Sequence, residues 1–144
     1  MIVGEIYGNL FEGFEDKKYT SIAHGCNCFH SMGAGIAGYI SKVYPESLEA
    51  DKQTKFASVD KLGTFSIAET EFGQILNMYT QYRPGRDLRI ESLVDCFKLL
   101  NEQYKGKVVA IPKIGCGIAG GNWDEVKQLI NSVTPDVEID VYYV

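Results

Sequence analysis

Ile22-Ala23-His24-Gly25-Cys26-Asn27-Cys28-Phe29-His30-Ser31-Met32-Gly33-Ala34-Gly35-Ile36-Ala37 decides how the chain folds: a short apolar run breaks into a polar loop, then into glycines that open a helical pattern. A strand that ends in glycine-rich backbone at a helix start brings main-chain N–H groups to an anion. Glycine removes the Cβ that would block the approach, and the first helical turn leaves its amides unpaired. The pattern returns at Ile111-Pro112-Lys113-Ile114-Gly115-Cys116-Gly117-Ile118-Ala119-Gly120-Gly121. Two such loops, each between an expected strand and an expected helix, predict a ligand with more than one phosphate across the carboxyl ends of a sheet.

Outward from these loops, strands and helices alternate. Met1–Ile6 reads as an opening strand, Gly8, Asn9 and Gly13 as turn chemistry, and Thr20–His24 as the second strand. Ile36, Tyr39, Ile40 and Val43 have helical spacing that stops at Tyr44-Pro45, and Pro45 suits the first turn of a short helix through Ala50. Gly63–Glu69 and Gly73–Gln81 read as a hairpin-like pair, followed by a loop over Arg83–Asp87. Asp87 is the expected cap of a helix whose Ile90, Leu93, Val94, Phe97, Leu100 and Tyr104 share a face. Lys107–Pro112 reads as a buried strand. Trp123, Val126, Ile130 and Val133 mark a last helix capped by Asn122, and Val137–Tyr143 is the closing strand. The class is α/β, a sheet covered by helices on its faces.

With 144 residues and 45% hydrophobic content, the chain suffices for one complete core, and a single domain over 1–144 is expected. No apolar run is long enough to span a bilayer and the N-terminus lacks signal-peptide character, so the cytoplasm is the expected compartment and no membrane partner is expected. Cys26, Cys28, Cys96 and Cys116 form no secreted-domain framework, and free thiols are expected, with Cys96 on an apolar helix stripe. A net charge of −5 argues against broad, non-specific nucleic-acid binding and requires any anion to be held locally, and no sequence-specific nucleic-acid binding is expected.

Gly4-Glu5-Ile6, His24-Gly25-Cys26-Asn27 with Met32-Gly33-Ala34-Gly35-Ile36-Ala37, and Pro112 through Trp123 together resemble the macro domain in order and spacing, along the whole chain. The resemblance is nearest to the branch containing ADP-ribose 1''-phosphate phosphatases and deacylating macro domains. It implies a three-layer sandwich with a mixed central sheet flanked by helices, and binding of ADP-ribose derivatives. It places Glu5 at the adenine amino group and Ile6 at the adenine ring. Asn27 falls at the distal ribose, with Gly33, Ala34, Gly35 and Ile36 under that ribose and the α-phosphate. Gly115, Cys116, Gly117, Ile118, Ala119 and Gly120 fall around the diphosphate, and Tyr142 beside the adenine. Phosphatase action on ADP-ribose 1''-phosphate is the leading activity, with His24 as acid/base or nucleophile and Asn27 orienting the ribose, and without metal or cofactor.

Two departures separate the chain from ADP-ribosyl hydrolases of the family. Ala119 stands where deacylating members carry aspartate, and Gln81 stands where some hydrolases carry a lysine nucleophile. Glutamine cannot form a Schiff base. The alternatives are therefore a non-catalytic reader of ADP-ribosylated macromolecules, or a hydrolase removing ADP-ribose from protein or nucleic acid. Arg83, Arg86 and Arg89 are candidates for a terminal phosphate, Arg89 being expected inside a helix and solvated. His24, Cys26, Cys28 and His30 alternate as metal ligands would on a regular strand, but the glycines that follow indicate a loop by Cys28. Trp123 is expected as a core anchor of the last helix. Cys116 is expected to let the backbone curl.

Overall fold

A computed structural model describes residues 1–144. Six strands form one sheet in the order β1-β6-β5-β2-β4-β3: β1 Ile2–Tyr7, β2 Ser21–Cys26, β3 Phe65–Glu69, β4 Gln74–Tyr79, β5 Val108–Ile111 and β6 Glu138–Tyr143. Every pairing is parallel except β3 with β4, so the sheet is mixed, as expected. The helices are α1 Leu10–Glu15, α2 Gly35–Val43, α3 Pro45–Lys52, α4 Ile90–Gln103 and α5 Trp123–Val133.

Alternation along the strands splits the core in two. Ala23, Leu76, Met78, Val109, Ile111, Ile139 and Val141 pack with Leu93, Phe97 and Leu100 of α4 and Val126 and Ile130 of α5. Ile22, Ile75, Ala110 and Tyr142 pack on the opposite face with Leu10, Phe14 and Ile40, from α1 and α2. This is the three-layer α/β sandwich expected.

Three local readings are corrected. Residues expected as a turn contain α1, started by Asn9, whose Oδ1 accepts from Phe11 N at 2.9 Å. Leu10 and Phe14, one helical turn apart, supply its buried face and outweigh Gly13. Asp87 does not cap α4. Its carboxylate accepts from Arg83 N at 2.8 Å and from Arg89 Nε at 3.2 Å, closing the loop before the helix. Arg89 is the extended residue preceding α4 rather than part of its interior. Asn122 does cap α5, accepting from Glu125 N at 3.1 Å.

The topology itself makes a crevice. β2 pairs with β4 over all six of its residues, but with β5 only at Ser21 and Ile22. Beyond that point the two central strands part. The loops that follow β2 and β5 leave toward helices on opposite faces, the switch point at which α/β sheets bind ligands.

Candidate functional site

A cleft of about 860 Å³ lies along the carboxyl edge of the sheet. Its wall is contributed by Gly8 after β1, Tyr143 and Val144 at the end of β6, the loop after β5, the loop after β2, and Gln81 after β4. At roughly 4.8 Å between neighbouring strands, the ends of five strands span about 19 Å. The cleft is therefore elongated across the sheet, with the two glycine loops facing each other near its middle.

The loops meet the requirements of an anion cradle. In the first, Ala34 precedes α2 with no side-chain cap, and the amides of Gly33, Ala34, Gly35, Ile36 and Ala37 have no acceptor in the protein. In the second, the amides of Gly117, Ile118 and Ala119 are likewise without acceptors, while Gly120 N and Gly121 N are bound to Gly117 O and Gly115 O. All eight of these residues line the cleft. The glycines divide by role. A Cβ on Gly33 or Gly117 meets nothing within 4 Å, whereas one on Gly121 would sit 2.6 Å from Gly115 O. Gly33 and Gly117 thus keep the cleft open, and Gly121 keeps its wall folded. Gly35 passes under Ile118, whose Cδ1 lies 3.2 Å from the position of an added Cβ, so the loops touch across the cleft.

One end of the cleft is aromatic. Trp123, Tyr142 and Tyr143 line it, and Lys113 Nζ lies 4.7 Å from the Tyr143 ring centroid and 5.9 Å from that of Trp123. Tyr142 is buried, with its hydroxyl 2.8 Å from that of Tyr19, so it anchors the strand end while Tyr143 is the exposed aromatic. Trp123 packs on the core, as expected, and also reaches the cleft. Its Nε1 donates to Glu5 Oε1 at 3.1 Å, and Lys127 Nζ lies 2.5 Å from Glu5 Oε2. These two donors pull the Glu5 carboxyl below its ordinary range, the Lys127 hydrogen bond most strongly. Glu5 and Ile6 stand behind this wall rather than among the cleft residues. The family resemblance singled out Tyr142 from sequence; Tyr143 and Lys113 carried no signal beyond their places at the end of the closing strand and at the start of the second glycine loop.

At the other end lie Asn27, Ser31, Gln81 and Gly85. Asn27 shapes its own loop, donating to Ser31 O at 2.8 Å and accepting from Phe29 N at 2.9 Å. Gln81 donates to Arg83 O at 2.7 Å and to Gly85 O at 2.9 Å, so the amide that stands in place of lysine closes the neighbouring loop.

His24 is where the surroundings revise the expected role. Its ring is 2% exposed, and Nε2 lies 2.7 Å from Asn77 Oδ1 on the neighbouring strand. Asn77 Nδ2 donates to Ser47 O and Ser66 Oγ, which leaves Oδ1 as the acceptor and fixes the His24 proton on Nε2. Burial lowers the imidazole pKa to about 4, with the Asn77 bond opposing. The ring is neutral at physiological pH, and we read it as a tie between β2, β4 and α3 rather than a proton carrier. Asp87 is engaged by Arg83 and Arg89 and does not reach the ring.

The four alternating residues do not converge on one point. Cys26 Sγ is 3.6 Å from His24 Nε2, Cys28 Sγ points to Gln81 O, and His30 Nε2 is 2.9 Å from Thr54 O. Burial raises the thiol pKa of Cys116 above its ordinary value despite Lys113 nearby, which removes it as an activated nucleophile.

A model of the macro domain family matches residues 23–130. An uncharacterized 17.5 kDa protein of bacteriophage T4 is 40% identical over 148 residues, covering 96% of this chain and 94% of its own. A protein of Candida albicans named as an ADP-ribose 1''-phosphate phosphatase is 28% identical, covering 96% of this chain and 97% of its own. A human ADP-ribose glycohydrolase is also 28% identical, over 90% of this chain and 85% of its own. Among solved structures, the macrodomain of Thermus aquaticus DarG superposes with a TM-score of 0.79 at 22% identity, covering 100% of this chain and 99% of that one, which shows a shared fold.

Proposed function

The chain belongs to the macro domain family, and from that premise we propose that its cleft binds ADP-ribose and its derivatives. The observation that carries this is the pair of facing loops whose amides, from Gly33 to Ala37 and from Gly117 to Ala119, lack acceptors in the protein. A diphosphate supplies acceptors to both loops at once. The adenine then lies toward Trp123, Tyr143 and Glu5, and the distal ribose toward Asn27 and Gln81. Ligand charge is neutralised mainly by oriented backbone dipoles, with Lys113 the one charged side chain in the cleft wall, which suits a chain of net charge −5.

Titration calorimetry with ADP-ribose and AMP tests this reading. ADP-ribose is expected to bind about tenfold or more tightly, because AMP leaves the amides of one loop unpaired. Equal affinities would remove the two-loop cradle. Glu5→Ala is expected to weaken ADP-ribose less than about tenfold, since the Glu5 side chain is 35% exposed and an exposed hydrogen bond contributes little net. A larger loss would place the carboxylate deeper in recognition than its surroundings indicate.

A second reading, phosphate removal from ADP-ribose 1''-phosphate, is favoured by the near full-length likeness to the fungal protein of that name. In that reaction water attacks phosphorus, the bond from phosphorus to the distal ribose oxygen breaks, and a proton of the water ends on that departing oxygen to give the free hydroxyl and inorganic phosphate. Asn27 and the two loops would hold the substrate, and His24, which also borders the cleft, would serve as a tie to Asn77 rather than as the acid. Cleavage of ADP-ribose from macromolecules has less support, because Gln81 is committed to loop carbonyls and Ala119 offers only a methyl group. The cytoplasmic compartment belongs to the same proposal. It is supported by four unpaired cysteines, and no helix is long and apolar enough to cross a membrane.

A further inference from the structure

Of the 14 lysines and arginines in the chain, a single one lines the cleft, Lys113. Arg83, Arg86 and Arg89, the arginines expected to hold a terminal phosphate, stand outside its wall. Lys113 is also free of any carboxylate. The protein has two ion pairs within 4 Å, Arg89 with Asp87 and Lys127 with Glu5, and Lys113 belongs to neither. Lys127 already holds Glu5, and the Lys113 ammonium lies instead against aromatic faces, 4.7 Å from the Tyr143 centroid and 5.9 Å from that of Trp123.

Its place along the cleft is bounded from both sides. The charge acts on the Glu5 carboxyl at the adenine end and on the Cys116 thiol in the second glycine loop, favouring the ionised form of each. In a nucleoside diphosphate laid across these points, the sugar joined to the base falls beside Lys113. The diphosphate does not need this ammonium, because the eight free amides of residues 33–37 and 117–119 already face it. The hydroxyls of a plain ribose do not need it either, since neutral groups and water satisfy them. An uncompensated cation with three donors, held in place by ring faces, suits an acceptor of full negative charge. In dinucleotide-binding folds a basic side chain beside the same sugar likewise accommodates a 2'-phosphate where an acidic one takes the 2'-hydroxyl.

We propose that Lys113, with the rings of Trp123 and Tyr143, forms a subsite for a phosphate on the 2'-oxygen of the adenosine ribose, an inference resting on the binding reading above. The cleft then takes 2'-phospho-ADP-ribose, the nucleotide left when a 2'-phosphorylated nicotinamide dinucleotide is hydrolysed at its nicotinamide. The phosphate draws the ammonium off the Tyr143 ring. The face so released is available for the base to stack on.

Titration calorimetry at low and high salt tests this with three ligands: ADP-ribose, 2'-phospho-ADP-ribose, and the isomeric ADP-ribose 1''-phosphate, which carries the same charge at the opposite end. Wild type is expected to bind 2'-phospho-ADP-ribose about tenfold or more tightly than ADP-ribose, with the preference shrinking as salt rises. In Lys113→Met and Lys113→Gln that ratio is expected to fall below about twofold, while the ratio of the 1''-isomer to ADP-ribose stays as in wild type. Lys113→Arg keeps the charge and the donors, and is expected to keep the preference. A wild type that holds the 2'-isomer no better than ADP-ribose overturns the proposal. So does a preference that survives removal of the ammonium, or an equal loss for both isomers, which would make Lys113 a general attractor of anions. Each of those results leaves ADP-ribose bound and the cleft reading intact. A wild type that binds none of the three ligands overturns the cleft reading, and the subsite with it.

Discussion

Gly117→Val is expected to abolish ADP-ribose binding while leaving the protein folded. A Cβ at this position meets no atom within 4 Å, and its backbone is not left-handed, so the branched side chain enters the cleft without displacing the wall. There it occupies the space between the two rows of free amides. The ligand loses contact with the 117–119 amides and is held off those of residues 33–37. A loss of about a hundredfold or more is expected, equivalent to one or two hydrogen bonds to a charged group. The thermal midpoint is expected to move by about 2 °C or less, as for a substitution that touches nothing. Gly121→Val supplies the contrast. Its Cβ would collide with Gly115 O at 2.6 Å and Leu88 Cδ2 at 2.5 Å, so this variant is expected to lose stability and binding together. Normal affinity in folded Gly117→Val protein would show that the diphosphate does not lie between these loops.

The difference between these two glycines marks what could and could not be read from sequence. The run from Ile22 to Ala37 and its later counterpart declare loops at strand ends, because glycine clusters before apolar helical spacing have few other uses. The switch point between β2 and β5 follows once both loops are placed. Which glycines face the open cleft and which face Leu88 or Asp95 depends on the tertiary packing of α4 and the residues just before it, and no local spacing reports it. Helix α1 was hidden for a related reason. Six residues containing a glycine have weak local preference, and Phe14 is helical because a buried site beside Tyr44 and Phe72 accepts it. The rings of Phe29, Phe56 and Tyr82 come from three segments distant in sequence, and hydrogen bonds at Cys28, His30, Ala57 and Tyr82 bring them together.

His24 shows the limit most sharply. A histidine at a strand end next to a phosphate loop suggests proton transfer, whereas its surroundings predict a structural signature that can be measured. Unfolded, the ring takes its proton near the ordinary histidine value of about 6.5; folded, it does so at about 4 because burial disfavours the charge. Between these values the unfolded state binds more protons. The contribution to stability is therefore complete above about pH 6.5, declines as pH falls, and is lost as pH passes through about 4. Its full size is about 3 kcal/mol. Urea titrations across this window are expected to show the wild-type protein losing stability more steeply than His24→Gln, which keeps a donor for Asn77 Oδ1 but has no proton to gain. His24→Ala is expected to cost about 2–4 kcal/mol at neutral pH, since it leaves a cavity and removes a buried hydrogen bond. Identical pH slopes for wild type and His24→Gln would refute the buried neutral state. The same variants decide the chemistry. If the wild type releases phosphate from ADP-ribose 1''-phosphate, folded His24→Gln is expected to retain turnover within tenfold. General acid–base groups contribute about a hundredfold to ten-thousandfold, so a loss of that size in a folded variant that still binds ADP-ribose would return His24 to the reacting phosphate.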